Sequence, residues 1–158
     1  MFFEEVEQIS PWRFPAPVSP HLAGEIDPKA LLDFCQTQIE QHPLTLIEGA
    51  GGVMTPLAER YTQLELMREL RLPVVLVTGS YVGTLSHTLT ALEALKSAGV
   101  QVASIIVNES PDSATGLDET AQSLKAFMLF SCPVFTLPQI SPTNCPWLHA
   151  PSLTEVLI

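Results

Sequence analysis

The stretch Thr45-Leu46-Ile47-Glu48-Gly49-Ala50-Gly51-Gly52 indicates most about how this chain folds and what it binds. An apolar segment of strand length runs into a carboxylate and then into three glycines within four positions. Glycines let backbone N–H groups approach phosphate oxygens, and a carboxylate can coordinate Mg²⁺. The stretch therefore predicts a strand over Leu44–Glu48 and, beyond it, a site for a phosphate-bearing ligand with a divalent metal. An ordinary turn from strand to loop explains Gly51 and Gly52 equally well.

The composition describes an acidic protein with a large apolar fraction. Of 158 residues, 46% are hydrophobic and 15% charged, and the net charge is −10. This length predicts a single domain over residues 1–158 with its own core. Seven Lys plus Arg leave no visible basic patch, which argues against a nucleic-acid partner. No apolar run has the length of a membrane span, and three cysteines without CxxC spacing favour a reducing, cytoplasmic location.

Apolar strands alternate with helices along the chain. Strands are predicted over Leu44–Glu48, Val74–Thr78, Val100–Asn108 and Val134–Leu137. Helices are predicted from an N-cap at Asp27 to about Gln41, over Tyr61–Arg71 with Leu64, Met67 and Leu70 inward, from Gly83-Thr84 to an αL cap at Gly99, and over Asp118–Leu129. Residues 1–25 are rich in proline and are predicted to be mostly extended loop.

This alternation predicts the α/β class. Strands that are apolar on both faces and alternate with helices indicate a parallel sheet covered by helices on both sides. In such sheets ligands bind beyond the carboxyl ends of the strands. Four pairs follow the predicted strands and are expected at one edge of the sheet: Glu48-Gly49, Gly79-Ser80, Asn108-Glu109 and Leu137-Pro138.

Four segments, in this order and at these spacings, resemble the dethiobiotin synthetase family. They are PVSPHLA at 17–23, IEGAGG at 47–52 with TPL at 55–57, LPVVLV at 72–77 running into GTLSHTL at 83–89, and IIVNE at 105–109. The resemblance implies a P-loop NTPase-like, three-layer α/β/α fold. It also implies the family's reaction, in which 7,8-diaminononanoate, CO₂ and Mg-ATP yield the ureido ring of dethiobiotin.

The resemblance further implies a role for each matching position. Glu48 matches the family's metal-binding glutamate and is the expected catalytic residue. Residues that match the nucleotide site are Gly49, Ala50, Gly51 and Gly52 near the phosphates, Asn108 at the adenine, and Leu137 and Pro138 beside the base. Residues that match the substrate site are Ser19 and Pro20 in a lining loop, and Gly83, Thr84, Leu85 and Ser86 at a helix start that holds the substrate carboxylate across a homodimer interface.

Several of these positions have a plain structural alternative on spacing alone. Glu48 is also explained as a surface carboxylate, and Gly83-Thr84 as an ordinary N-cap. Asn108 is also explained as the start of the turn Glu109-Ser110-Pro111. These alternatives stay open at the level of the residues.

One part of the family's sequence pattern has no counterpart in these residues. The family begins with a strand, a P-loop carrying lysine and threonine, a strand with a catalytic lysine, and an aspartate that joins the glutamate on the metal. Only eighteen residues precede Ser19, and no glycine is followed by lysine. The resemblance therefore implies an N-terminally truncated member that corresponds to the C-terminal two-thirds of the family.

Three hypotheses account for this difference. The sequence is an incomplete record of a normal enzyme, or a remnant that binds ligands and dimerises without catalysis, or one of two polypeptides that assemble. The first is preferred. Because phosphoryl transfer depends on the charge stabilisation that those lysines supply, the 158 residues alone are expected to be inactive and weakly stable.

Overall fold

The computed structural model describes residues 6–111, 113–140 and 148. The chain divides into two compact units, Met1–Leu70 and Arg71–Ile158, each with its own hydrophobic core. The single domain over residues 1–158 stays a prediction. None of the helices in the described residues is long and apolar enough to cross a membrane.

The first unit is mostly helical. Its elements are α1 (Val6–Ile9), α2 (Pro20–Ala23), α3 (Pro28–Gln41), β1 (Pro56–Ala58), β2 (Tyr61–Thr62) and α4 (Gln63–Leu70). Helix α3 begins as predicted, because Pro28 suits the first helical position and the Asp27 carboxylate accepts a hydrogen bond from the Lys29 backbone N–H at 3.0 Å.

Helix α4 begins two residues later than predicted. Tyr61 and Thr62 instead form β2, which pairs antiparallel with β1. The buried residues of α4 are Gln63 and Leu66, whereas Leu64, Met67 and Leu70, the predicted inward face, are only partly buried. The core of this unit is built on Leu57, Tyr61 and Leu66, with Leu31, Leu32 and Leu70 packed around them.

The strand predicted over Leu44–Glu48 is wrong. This segment has no regular secondary structure, and the side chains of Leu44 and Leu46 are 66% and 75% exposed. A strand forms only where a neighbouring backbone pairs with its N–H and C=O groups, and no described strand does so here. Apolar composition alone therefore did not suffice to make this segment a strand.

The second unit confirms the predicted α/β class. Its elements are β3 (Val74–Gly79), α5 (Thr84–Ser97), β4 (Val102–Asn108), α6 (Leu117–Phe127) and β5 (Val134–Leu137), all within two residues of their predicted bounds. The sheet order is β3-β4-β5, and both pairings are parallel. Leu92 of α5 and Leu124 of α6 pack with Ile105 and Val107 of β4 to form the core.

The predicted αL cap of α5 is also confirmed. Gly99 has φ of +71°, its N–H donates to the Lys96 carbonyl, and the Val100 N–H donates to the Leu95 carbonyl. These two bonds form a Schellman motif, which ends the helix and directs the chain into β4.

Candidate functional site

The first unit contains a cavity of about 830 Å³. Its wall is mostly apolar and draws on the N-terminal segment, α3 and the segment before Glu48. Aromatic and aliphatic side chains dominate it, among them Trp12, Phe14, Leu31, Phe34 and Leu57. Five predicted site residues, Ser19, Pro20, Glu48, Ala50 and Gly51, also line this cavity. A mostly apolar cavity with a few polar groups suits a small ligand with an aliphatic body.

Ser19 and Pro20 lie where the N-terminal loop enters α2. The Ser19 hydroxyl donates to the Pro56 carbonyl at 3.2 Å and lies 3.0 Å from Nδ1 of His21. Pro20 is the first residue of the helix. The Ser19 hydroxyl therefore anchors this loop to β1 and has lone-pair capacity left for a ligand.

Glu48 is an exposed carboxylate on the cavity wall. It takes no part in the two ion pairs of the described residues, which join Arg13 to Glu7 and Lys29 to Asp33. Residues 6–111, 113–140 and 148 contain no group of three or more His, Cys, Asp or Glu side chains that could hold a metal ion. One free carboxylate fits a Mg²⁺ ion that takes its other ligands from water and phosphate oxygens.

The glycine turn after Glu48 is held by close contacts. A Cβ atom on Gly49 would lie 2.8 Å from Nε2 of Gln63, so a larger residue there would require the Gln63 amide to shift. Gly51 has φ of +88°, and a Cβ there would meet Oγ1 of Thr55 at 2.5 Å. The turn alternative thus accounts for Gly51. Gly52 is exposed, and a Cβ there would meet no atom within 4 Å.

In the second unit, parallel pairing gathers three predicted residues at the carboxyl edge of the sheet. Asn108 is opposite Gly79 on one side and Leu137 on the other. The Glu109 N–H donates to the Leu137 carbonyl at 2.8 Å. Asn108 and Pro138 are exposed, whereas Leu137 is half-buried. The Asn108 amide is therefore presented at this edge beside Leu137 and Pro138.

A pair of serines joins the loops that follow β3 and β4. The Ser80 N–H donates to Oγ of Ser110 at 3.1 Å, and the Ser110 N–H donates to Oγ of Ser80 at 2.9 Å. The Ser113 hydroxyl also donates to the Ser80 carbonyl. Ser80 is buried, so these bonds satisfy polar groups that water does not reach. This connection was not predicted, because it depends on the sheet register.

The four predicted residues at the start of α5 differ in their surroundings. Gly83 has φ of +94° and is exposed, as is Ser86. The Thr84 hydroxyl is buried and donates to the Gly79 carbonyl at 2.6 Å, and Leu85 packs against the core. The side chains of Thr84 and Leu85 are therefore structural, and any ligand contact there would come from backbone N–H groups of the first turn.

A thiol and an aromatic pair also line the cavity. Burial raises the pKa of the Cys35 thiol, which lines the cavity and stays protonated. Trp12 stacks edge to face on Phe34 at a centroid distance of 5.6 Å. Both Trp12 and Phe34 form part of the cavity wall.

Comparisons with known proteins agree with the resemblance. The model of a family described as "AAA domain" matches residues 3–142. The "ATP-dependent dethiobiotin synthetase BioD" of Caulobacter sp. (strain K31) is 44% identical over 85% of this chain and 60% of its own length. The protein of the same name from Caulobacter vibrioides (strain NA1000 / CB15N) is 46% identical over 75% of this chain and 57% of its own length.

A more distant relative shows the same coverage. The "ATP-dependent dethiobiotin synthetase BioD" of Legionella pneumophila subsp. pneumophila (strain Philadelphia 1 / ATCC 33152 / DSM 7513) is 37% identical over 77% of this chain and 60% of its own length. The chain therefore spans about three-fifths of the length of the curated relatives it matches.

Proposed function

Because the chain belongs to the AAA-domain family, whose model matches residues 3–142, we propose that it carries out, or forms the larger part of a protein that carries out, ATP-dependent dethiobiotin synthesis. The observation that carries this proposal is the shared cavity of Ser19, Pro20, Glu48, Ala50 and Gly51. These residues come from two of the segments that resemble the family, and the similarity to the Caulobacter sp. (strain K31) protein of that name spans 85% of the chain.

The proposed substrates are 7,8-diaminononanoate, CO₂ and ATP. An amine nitrogen of the diamine attacks CO₂, forms a C–N bond and loses a proton, which gives a carbamate. A carbamate oxygen then attacks the γ-phosphorus of ATP, and the bond to the departing ADP oxygen breaks. Finally the second amine attacks the carbon of the resulting carbamic-phosphate anhydride, the C–O bond to phosphate breaks, the amine nitrogen loses a proton, and the ureido ring closes. The apolar cavity wall supports this assignment because it suits the aliphatic chain of the diamine.

Glu48 is the proposed catalytic and metal-binding residue. Its carboxylate would hold Mg²⁺, which supplies charge neutralisation for the phosphates when bound. The chain's own contribution is the turn Gly49, Ala50, Gly51 and Gly52, whose backbone lies directly after that carboxylate. Backbone N–H groups of this turn are proposed to orient the phosphate and carbamate oxygens.

The sheet edge of the second unit is the proposed adenine site. Asn108 is exposed there, and its amide can donate and accept at the same time, as the Watson–Crick edge of adenine requires. Leu137 and Pro138 are proposed to border the base, since Leu137 is opposite Asn108 in the sheet.

The start of α5 is the proposed carboxylate site. Gly83, Thr84, Leu85 and Ser86 would bind the substrate carboxylate through first-turn N–H groups, which carry partial positive charge. In the family this contact comes from a second copy, so a homodimer is part of the proposal. A cytoplasmic location without a nucleic-acid partner is also proposed, and the net charge of −10 supports the latter.

A second candidate function is ligand binding without catalysis by these residues alone. It is favoured by one observation, that no glycine in the 158 residues is followed by lysine. In this case the chain binds the diamine and ATP, or serves as a dimerising partner, while phosphoryl transfer needs lysines from elsewhere.

The test is an assay of dethiobiotin formation from 7,8-diaminononanoate, bicarbonate and Mg-ATP, with calorimetric titration of each ligand. The purified chain and Glu48→Ala are compared. We expect binding of the diamine and no turnover by the 158 residues. Turnover that Glu48→Ala abolishes would show that these residues suffice for catalysis, and absence of binding by the unchanged chain would overturn the proposal.

A further inference from the structure

Gln63 is a buried polar residue on the wall of the cavity in the first unit. Its exposed fraction is 4%, and it is the first residue of α4. The carboxamide lies flat against Gly49: Nε2, Cδ and Oε1 are 2.8, 3.0 and 3.1 Å from where a Cβ of Gly49 would be. Gly49 directly follows Glu48, and both Gln63 and Glu48 line the cavity.

The Gln63 side chain has no hydrogen-bond partner in the described part of the chain. Its backbone N–H donates to the Thr55 carbonyl at 3.0 Å. The carboxamide makes no hydrogen bond to a described residue, but it is not among the fully enclosed polar atoms of these residues that lack a partner, which are limited to Ser104 Oγ. The amide atoms are therefore open to the cavity that Gln63 lines, where they keep free hydrogen-bonding capacity. The observation is explained if a ligand in the cavity completes the hydrogen bonds.

We propose that the Gln63 carboxamide hydrogen-bonds the polar head of an aliphatic diamine in this cavity and thereby makes the cavity selective for that ligand. This inference rests on the proposed function. Oε1 accepts a hydrogen bond from an amine N–H of the substrate, and Nε2 donates one to an oxygen of the carbamate that forms from the same amine.

The neutral amide suits a head group whose charge changes during the reaction. The amine of the diamine binds as a cation or a neutral base, and after addition of CO₂ it carries a negative charge. A glutamate at this position would attract the amine and repel the carbamate, whereas a lysine would do the reverse. Gln63 pairs with both forms without a buried like charge.

The test is a calorimetric titration of the full chain with 7,8-diaminononanoate, with and without bicarbonate. In Gln63→Leu we expect the affinity to fall by roughly tenfold, the effect of losing one well-placed hydrogen bond. We expect the melting temperature of that variant to stay about the same, because leucine fills a similar volume and the amide makes no hydrogen bond to a described residue. If the Gln63 amide had only a structural role, Gln63→Leu would lower the melting temperature and leave the affinity for the diamine unchanged.

Two further variants sharpen the result. Gln36→Leu makes the same chemical change at an exposed position of α3 that does not line the cavity, and its affinity should equal that of the unchanged chain. Gln63→Glu keeps the shape, and we expect it to lose any gain in affinity that bicarbonate gives the unchanged chain. This variant also keeps the proposal testable if Gln63→Leu does not fold.

The outcomes separate the two proposals. Equal affinities in the unchanged chain and Gln63→Leu would overturn the role of Gln63 and leave the proposed function standing. An undiminished bicarbonate effect in Gln63→Glu would do the same. No binding of the diamine by the unchanged chain would overturn both proposals.

Discussion

At the scale of the residue, Glu65 shows how one carboxylate stabilises a helix start. It accepts hydrogen bonds from the hydroxyl of Thr62 and, at 2.8 Å, from the backbone N–H of Thr62, the residue before α4. These bonds lower the pKa of Glu65 from its ordinary value of 4.5, and the bond from the Thr62 hydroxyl has the larger effect. A carboxyl whose pKa is lower in the folded chain than in the unfolded chain stabilises the fold at pH values above its unfolded-state pKa. This stabilisation is lost as pH falls through the folded-state pKa.

Glu65→Ala is therefore expected to lower the free energy of unfolding by about 1 kcal/mol at pH 7. The difference from the unchanged chain should shrink as pH falls below 4.5, the ordinary pKa of the group. Urea unfolding at a series of pH values measures both effects. Glu40→Ala, at an exposed position of α3, is the control and should change stability little. A difference that is constant with pH would contradict the role of the charge.

Tyr61 is expected to make the free energy of unfolding depend on pH in the alkaline range. Burial, and then the hydrogen bond from its hydroxyl to Glu69 at 2.8 Å, raise the pKa of Tyr61. The unfolded chain releases this proton near pH 10, the ordinary pKa, while the folded chain retains it, so stability is lost as pH rises above that value. Tyr61→Phe should be less stable at pH 7 by about 1 kcal/mol and lose less stability between pH 9 and 11, as measured by urea unfolding. A parallel loss in both proteins would contradict this assignment.

At the scale of the element, the serine pair fixes the loop after β4 against the loop after β3. Ser110→Ala removes the acceptor of the Ser80 N–H, and Ser80 is buried. We expect the free energy of unfolding to fall by roughly 1–3 kcal/mol, the cost of an unpartnered buried donor. Ser131→Ala, at an exposed position, is the matched control. Equal stability of the two variants in urea would show that Ser80 finds another partner.

The elements also show what could be predicted from the sequence. In the second unit, short apolar runs bounded by glycine and proline predicted every strand to within two residues, because each run has a parallel neighbour to pair with. The run Leu44–Glu48 is similarly apolar but has no such neighbour in the described residues, so it is not a strand. Pairing is a property of the whole sheet, and a local pattern carries no information about it.

In the candidate site, too, the sequence could place some residues and not others. Asn108 and Leu137 could be placed at one edge, since the carboxyl ends of parallel strands meet there. Gln63 could not be predicted, because a polar residue at a helix start is ordinarily exposed and its burial depends on contact with Gly49. The roles of individual residues in the proposed reaction stay predictions.

At the scale of the whole molecule, the chain combines one small-molecule cavity in its first unit with a parallel sheet in its second. Residues from two of the family-like segments line the cavity, and Asn108, Leu137 and Pro138 lie at the sheet edge. These residues match about three-fifths of the length of their relatives. The proposed division of labour is therefore that this chain binds diamine and adenine, while lysines for phosphoryl transfer come from a segment these residues do not match.

The remaining part of the Caulobacter sp. (strain K31) relative provides the test of that division. Co-expressed with this chain or fused to it, that part should give ATP-dependent dethiobiotin formation, because the resemblance implies that the part of the family not matched here carries the phosphate-binding lysines. Glu48→Ala in this chain should reduce the rate at least a hundredfold, since removing a group that stabilises transition-state charge typically costs that much. The control is the same relative segment alone, which should be inactive. Turnover that persists undiminished with Glu48→Ala would show that the relative's segment acts without this chain's cavity, and the proposed role of Glu48 would have to be abandoned.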